Sequence, residues 1–220
     1  MRDLELQEKF ELEVLDRLNS ARLLKGLVFG GGTMLRLCYG LDRFSVDLDF
    51  WAGKSFNDTK FFDECKNVLS RAYTLTDSAN KFYTLLFELK SKDYPRALKI
   101  EIRKEPKTFN VESAIAYSLF TSGQVLLDTV SLKDMTRSKM EALIDRKEIR
   151  DAFDLEFLVK KGIIPDDPMQ AKQKALKVIE GFTSKDYQVK LGSLLDPVER
   201  RYYIKENFKI LKQALSAGAI

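Results

Sequence analysis

The chain has 220 residues, enough for one well-packed core or a core with a smaller helical appendage. It contains no histidine, which excludes Ser-His-Asp and Cys-His catalysis and every His-based zinc or iron site. Its net charge of +4, from 37 basic and 33 acidic residues, permits a polyanionic partner without demanding one. Any chemistry must therefore run on carboxylates, lysine, arginine and hard, oxygen-bound metals, of which Mg²⁺ is the best fit. The opening MRDLELQEKFELE has no apolar segment of the signal-peptide type, and no apolar run approaches the ~18 residues of a membrane span. Cys38 and Cys65 have no metal or redox spacing and read as reduced thiols of a cytoplasmic protein.

Taken in chain order, Leu4, Phe10, Leu12, Leu15, Leu18 and Leu23 predict an opening amphipathic helix. Leu27–Phe29 is a short buried strand ending at glycines, and Thr33–Tyr39 is the following helix, stopped by Gly40. Ser45–Trp51 alternates, with Val46, Leu48 and Phe50 facing one way and Asp47 and Asp49 the other. Asp58–Tyr73 is helical, and Lys81–Lys90 and Arg96–Arg103 are further alternating strands. Val125–Val130 is another strand candidate; beyond Leu132 the pattern is helical almost to the end, with a break at 162–168 (GIIPDDP). An α/β half with a small mixed sheet thus precedes a helical half, dividing near residue 130.

The stretch Phe29–Phe50, FGGGTMLRLCYGLDRFSVDLDF, carries the chemistry. Backbone N–H groups at a glycine-rich helix start can bind phosphate oxygens without help from side chains. The glycines alone equally suit a tight strand-to-helix connection, and they form neither a Walker A loop nor a GxGxxG fingerprint. Asp47 and Asp49 project from one face of their strand. At ~4 Å and an effective dielectric of ~20, two carboxylates repel by ~4 kcal/mol, so a facing pair calls for a cation. Glu101, flanked by Lys99 and Arg103, is either a solvated strand residue or a third carboxylate that helps hold the metal and takes a proton from an attacking hydroxyl.

Residues 139–162 space Arg146, Arg150 and Asp154 at successive i, i+4 steps, with Asp151 close by. They are either a salt-bridged helix surface or a set in which Lys139, Arg146 and Arg150 clamp phosphates while acidic residues fix their rotamers. Arg43 and Ser45 either touch phosphate or sugar or order their loop. The helix Pro197–Leu215, with its mixed basic and aromatic residues, reads as an amphipathic helix with a solvated face.

With these motifs in view, the chain resembles the AbiEii/AbiGii-type nucleotidyltransferases of the DNA polymerase β superfamily. FGGGTMLRLCYGLDRFSVDLDF is similar to the family's Gly-Gly-Ser/Thr turn followed by Arg-x-Ser-x-Asp-Leu-Asp-Phe. LKIEI (98–102) is similar to its third-carboxylate strand, and residues 131–158 to its helical motif of Lys, then Arg-x-x-x-Arg-Asp-x-x-Asp. The resemblance implies an α+β fold: a small mixed sheet flanked by helices over residues 1–130, then a helical domain over 131–220, with the active site in the cleft between. It also implies transfer of a nucleoside monophosphate from an NTP to an acceptor. Gly31, Gly32 and Thr33 would seat the phosphates, Thr33 standing where many relatives have Ser. Asp47 and Asp49 would hold Mg²⁺ (or Mn²⁺), and Glu101 would complete the metal site and activate the acceptor. Lys139 and Arg150 would neutralise phosphate charge, with Asp151 and Asp154 positioning them. By the same resemblance the chain would be the toxin of a toxin–antitoxin or phage-defence system, acting on tRNA 3′ ends and restrained by a separate antitoxin. The readings set against this are a nucleotide- or RNA-binding module without catalysis, and a transferase acting on a protein or small-molecule hydroxyl.

Overall fold

A computed structural model of the chain describes residues 2–53, 56–105 and 107–217. It divides into two compact units, Met1–Gly40 with Phe44–Val130 and Leu41–Arg43 with Ser131–Ile220.

The first unit is built on a seven-stranded mixed sheet. Its elements are α1 (Arg2–Ser20), β1 (Leu27–Gly30), α2 (Gly31–Tyr39), β2 (Asp47–Ala52), α3 (Asp58–Ser70), β3 (Thr74–Asn80), β4 (Thr84–Lys90), β5 (Leu98–Arg103), β6 (Val111–Ser118) and β7 (Thr121–Val130). The strand order is β3-β4-β5-β2-β1-β7-β6. The pairs β2–β5 and β1–β7 are parallel, and the others are antiparallel. The mixed sheet expected from the sequence is present, but it is larger than the alternation suggested. The strands beyond those the alternation predicts are β3 and β6, which pair with β4 and β7.

Alternation explains which face is covered. Leu48, Phe50, Leu85, Phe87, Leu98, Ile100 and Ile102 form one apolar face and are almost fully buried. Helices supply the partner surface: α1 packs on β5, β6 and β7, and α3 on β3 and β4. The apolar stripe of α1 (Leu4, Phe10, Val14, Leu15, Leu18) is buried as its spacing requires. Gly40, at φ +77°, ends α2 as a left-handed cap whose N–H bonds back to the Arg36 and Leu35 carbonyls.

The second unit is helical: α4 (Leu132–Arg146), α5 (Ile149–Lys160), α6 (Met169–Glu180), a π-helical turn (Asp186–Leu191), a 3₁₀ turn (Gly192–Leu194), α7 (Pro197–Glu206) and α8 (Lys209–Ser216). Ser131 caps α4 by accepting the Asp134 N–H, and Asp196 caps α7 by accepting from Val198 and Glu199. Two helices expected to be continuous are broken. Lys147, at φ +55°, ends α4, so Arg146 and Arg150 lie on different helices and the i, i+4 relationship between them does not exist. Asn207 and Phe208, at φ +49° and +53°, split the C-terminal helix. That turn lets Phe208 bury completely in a cluster with Phe182, Tyr187 and Tyr203, and the apolar gain offsets the local backbone cost.

Candidate active site

In the first unit, β2 presents Asp47 and Asp49 on the sheet face opposite its buried Leu48 and Phe50, and both aspartates are half-buried. The parallel register sets Asp47 beside Lys99 and Asp49 beside Glu101. On the other side, antiparallel pairing sets Asp49 beside Gly30. Glu101 Oε1 lies 2.7 Å from Lys99 Nζ. The hydrogen bond to Glu101 holds the Lys99 ammonium above its ordinary pKa; burial opposes this, while the charges of Glu101, Asp47 and Asp49 add to it.

The three carboxylates thus share one face of adjacent strands. Among the described residues, however, no group of three or more acidic or thiol side chains is gathered into a ready metal site. Glu101 is engaged by Lys99. The donor set still fits Mg²⁺, because Asp47 and Asp49 are hard oxygen donors on one face and an ammonium already stands among the carboxylates as a substitute cation.

The glycine turn abuts this face. Gly31 has φ +77°, and a Cβ there would lie 2.5 Å from Asp49 Oδ2. A side chain on Gly30 would run into the Trp51 ring. Gly30 was not singled out from the sequence; its only signal is its place in the three-glycine run. The start of α2 at Gly31 has no side-chain cap, so the donors of its first turn are not taken by an N-cap side chain. Gly32 is buried within that turn. Thr33 is also fully buried, and its hydroxyl donates to the Asp47 carbonyl at 2.5 Å. The Thr33 hydroxyl therefore ties α2 to β2 rather than facing a phosphate, so a phosphate role at this position is left to the backbone. Ser45 is half-buried in the loop that leads into β2.

Beneath the face lies a polar row on α1 that sequence reading missed. Gln7 Nε2 donates to the carbonyls of Val46 (3.3 Å) and Ala97 (3.4 Å), tying together the approaches to β2 and β5. Glu8 accepts from Arg36 at 2.8 Å and from Ser118 at 2.5 Å. Glu11 is fully buried, and neither carboxylate oxygen has a hydrogen-bond partner. Burial pushes its pKa well above the usual range, and the Glu8 and Asp47 charges push the same way. The available signal was the spacing of Gln7, Glu8 and Glu11 within the apolar stripe of α1.

The second unit holds a separate charged network. Arg43 makes a two-pronged contact with Asp154, Nε to Oδ1 at 2.7 Å and Nη2 to Oδ2 at 2.8 Å, with both side chains buried. Lys139 Nζ lies 2.6 Å from Asp154 Oδ2 and 3.2 Å from Asp151 Oδ1. Arg146 Nη2 donates to both Asp151 oxygens, at 2.9 and 3.0 Å. Burial works against the Asp154 charge, but Arg43 and Lys139 outweigh it and leave its pKa below the ordinary value. Of the two readings for Arg43, the contacts favour loop ordering. Arg150 stands exposed on α5, and none of the ion pairs of this network involves it.

Two solved structures share the fold over nearly the whole chain. JHP933 from Helicobacter pylori is 23% identical with a TM-score of 0.60, covering 96% of this chain and 94% of that one. A candidate nucleotidyltransferase from H. pylori, also 23% identical with a TM-score of 0.60, covers 94% of this chain and 96% of its own. No curated protein sequence matches the chain. Residues 13–201 match the family model of a nucleotidyl transferase, and the chain is a nucleotidyltransferase. It belongs to the family of AbiEii toxins of type IV toxin–antitoxin systems, which implies a nucleotide substrate and an antitoxin counterpart.

Proposed function

We propose that the protein moves a nucleoside monophosphate from an NTP to a tRNA 3′ end, in a reaction that depends on Mg²⁺, with Mn²⁺ able to substitute. The observation that carries this reading is the placement of Asp47 and Asp49 on one sheet face, with Glu101 in the neighbouring row and the Gly31 backbone against Asp49.

In this mechanism the N–H groups of the Gly31–Gly32–Thr33 turn receive the phosphate oxygens, which the absence of a side-chain cap permits. Asp47 and Asp49 hold the metal, which when bound supplies positive charge to the reacting phosphate oxygens. Glu101 takes the proton from the acceptor hydroxyl as its oxygen bonds the α-phosphorus. The bond from that phosphorus to the oxygen bridging to the β-phosphate breaks, and pyrophosphate leaves. Within the second unit, acidic partners hold two basic side chains in fixed positions. Asp151 and Asp154 are positioning residues for Lys139 and Arg146, and Arg43 shares Asp154 with Lys139.

The test is to incubate the protein with Mg²⁺, total cellular RNA and each α-labelled NTP in turn, beside an Asp47→Ala/Asp49→Ala double variant. Label in a tRNA-sized band with wild type alone supports the reading and identifies the base. Label in protein or small molecules moves the acceptor. NTP binding without any product favours a binding module, and a double variant as active as wild type overturns the site.

A further inference from the structure

The acidic face of the first unit already contains a cation of its own. Lys99 lies beside Asp47 across the β2–β5 ladder and beside Glu88 across the β4–β5 ladder. Its ammonium lies 2.7 Å from Glu101. The two side chains are 39% and 31% exposed, so both can move without disturbing the apolar face behind them. A part-exposed pair of this kind is worth roughly 0–1 kcal/mol, a hold that a doubly charged ion among the same carboxylates readily exceeds. Lysine also suits a moving part: its charge is a point on a flexible four-carbon stem, and it can exchange one anionic partner for another.

We propose that Lys99 is a positioning residue that exchanges places with the divalent ion: without metal it neutralises the acidic face and holds Glu101, and on metal binding it gives up Glu101 and turns to the triphosphate of the NTP. This rests on the dicarboxylate reading above. The exchange accounts for two facts together. The carboxylates of adjacent strands tolerate each other in the fold, and Glu101 is not gathered with Asp47 and Asp49 although its row neighbours theirs.

The exchange predicts a gain on mutation, which damage to the fold cannot produce. Mn²⁺ alone is titrated into the full chain without nucleotide, with free Mn²⁺ followed by electron paramagnetic resonance, for wild type, Lys99→Met and Lys99→Arg. Lys99→Met is expected to bind Mn²⁺ roughly tenfold more tightly, because the competing charge is gone, and Lys99→Arg to stay near wild type. At saturating Mn²⁺, Lys99→Met is expected to bind an α,β-methylene NTP analogue several-fold more weakly. Equal or weaker Mn²⁺ binding by Lys99→Met overturns the exchange. Unchanged analogue binding overturns the assignment of the ammonium to the triphosphate. An Asp47→Asn/Asp49→Asn control separates the two levels. If wild-type Mn²⁺ binding is absent or survives that control, the dicarboxylate reading falls and the exchange falls with it. If binding needs the aspartates but ignores Lys99→Met, the exchange alone falls.

Discussion

Gly31 packs directly on Asp49: a methyl group added to this glycine would lie 2.5 Å from the aspartate Oδ2. The turn and the carboxylate are therefore one piece of machinery, and the turn conformation is set where the carboxylate is placed. Gly31→Ala meets both a left-handed backbone, φ +77°, and this collision. The backbone term alone costs about 1–2 kcal/mol, or roughly 2–8 °C in melting temperature for a chain of this size. Transfer activity is expected to fall further than stability does, because Asp49 must move. Thermal melts and labelled-NTP turnover, measured on the same preparation, check this.

Thr33 offers a cleaner separation of roles. Its buried hydroxyl bonds the Asp47 carbonyl, so Thr33→Ser keeps the bond and Thr33→Val removes it. Thr33→Val is expected to lose about 0.5–1.5 kcal/mol of stability, and Thr33→Ser less. Steady-state kinetics adds a second check. A hydroxyl that contacted phosphate would raise KM for NTP when lost, whereas one that holds β2 in place lowers kcat.

The buried network of the second unit predicts a large stability effect. Asp154 binds Arg43 through both carboxylate oxygens and shares Lys139 with Asp151. Asp154→Ala takes this carboxylate away from the buried Arg43 and Lys139 charges and is expected to cost about 3–5 kcal/mol, read from urea denaturation. The same network gives an acid dependence. Asp154 has a folded pKa below its unfolded value, so its contribution is present above the ordinary value of 3.8 and is lost as pH falls through the folded pKa.

Glu11 has the opposite sign. Its folded pKa is raised, so its best contribution lies below the ordinary value of 4.5, and stability drains as pH rises toward the folded pKa. The groups that act on it are Glu8 and Asp47, which raise its pKa, and Arg36, which lowers it. Glu11→Gln removes the ionisation. It is expected to raise the melting temperature by at least about 2 °C at pH 8 and to make no difference near pH 4. Melts across that range decide it; a gain independent of pH would mean that ionisation is not the cause.

Period-two alternation made β2 and β5 readable, because Leu48, Phe50, Ile100 and Ile102 each face a buried layer. That these two strands are neighbours, so that Asp49 stands beside Glu101, is a pairing fact that no local pattern contains. β3 (TLTDSAN) has almost no apolar residues, and β6 carries its buried positions as small Ala116 and Ser118, so neither rises above a loop in hydrophobic pattern. The ends of α4 and α7 use Lys147 and Asn207 in the left-handed region, where glycine would have been visible and these residues are not. That Asp47 and Asp49 share a strand face is legible from their spacing, whereas the pairing of Glu101 with Lys99 depends on side-chain placement.

The strand that bears Asp47 and Asp49 is the fourth of seven, with β1 on one side and β5 on the other. Its peptide groups have ladder partners on both flanks, unlike those of the outermost β3 and β6. Fraying begins at such outer strands and reaches an interior strand last. The amides of Leu48 and Phe50 are therefore expected to exchange with deuterium on the timescale of whole-unit unfolding, long after those of β3 and β6. A repulsive pair of charges is thus seated where the sheet breathes least, and the two carboxylates keep their spacing between turnovers without needing a ligand to impose it.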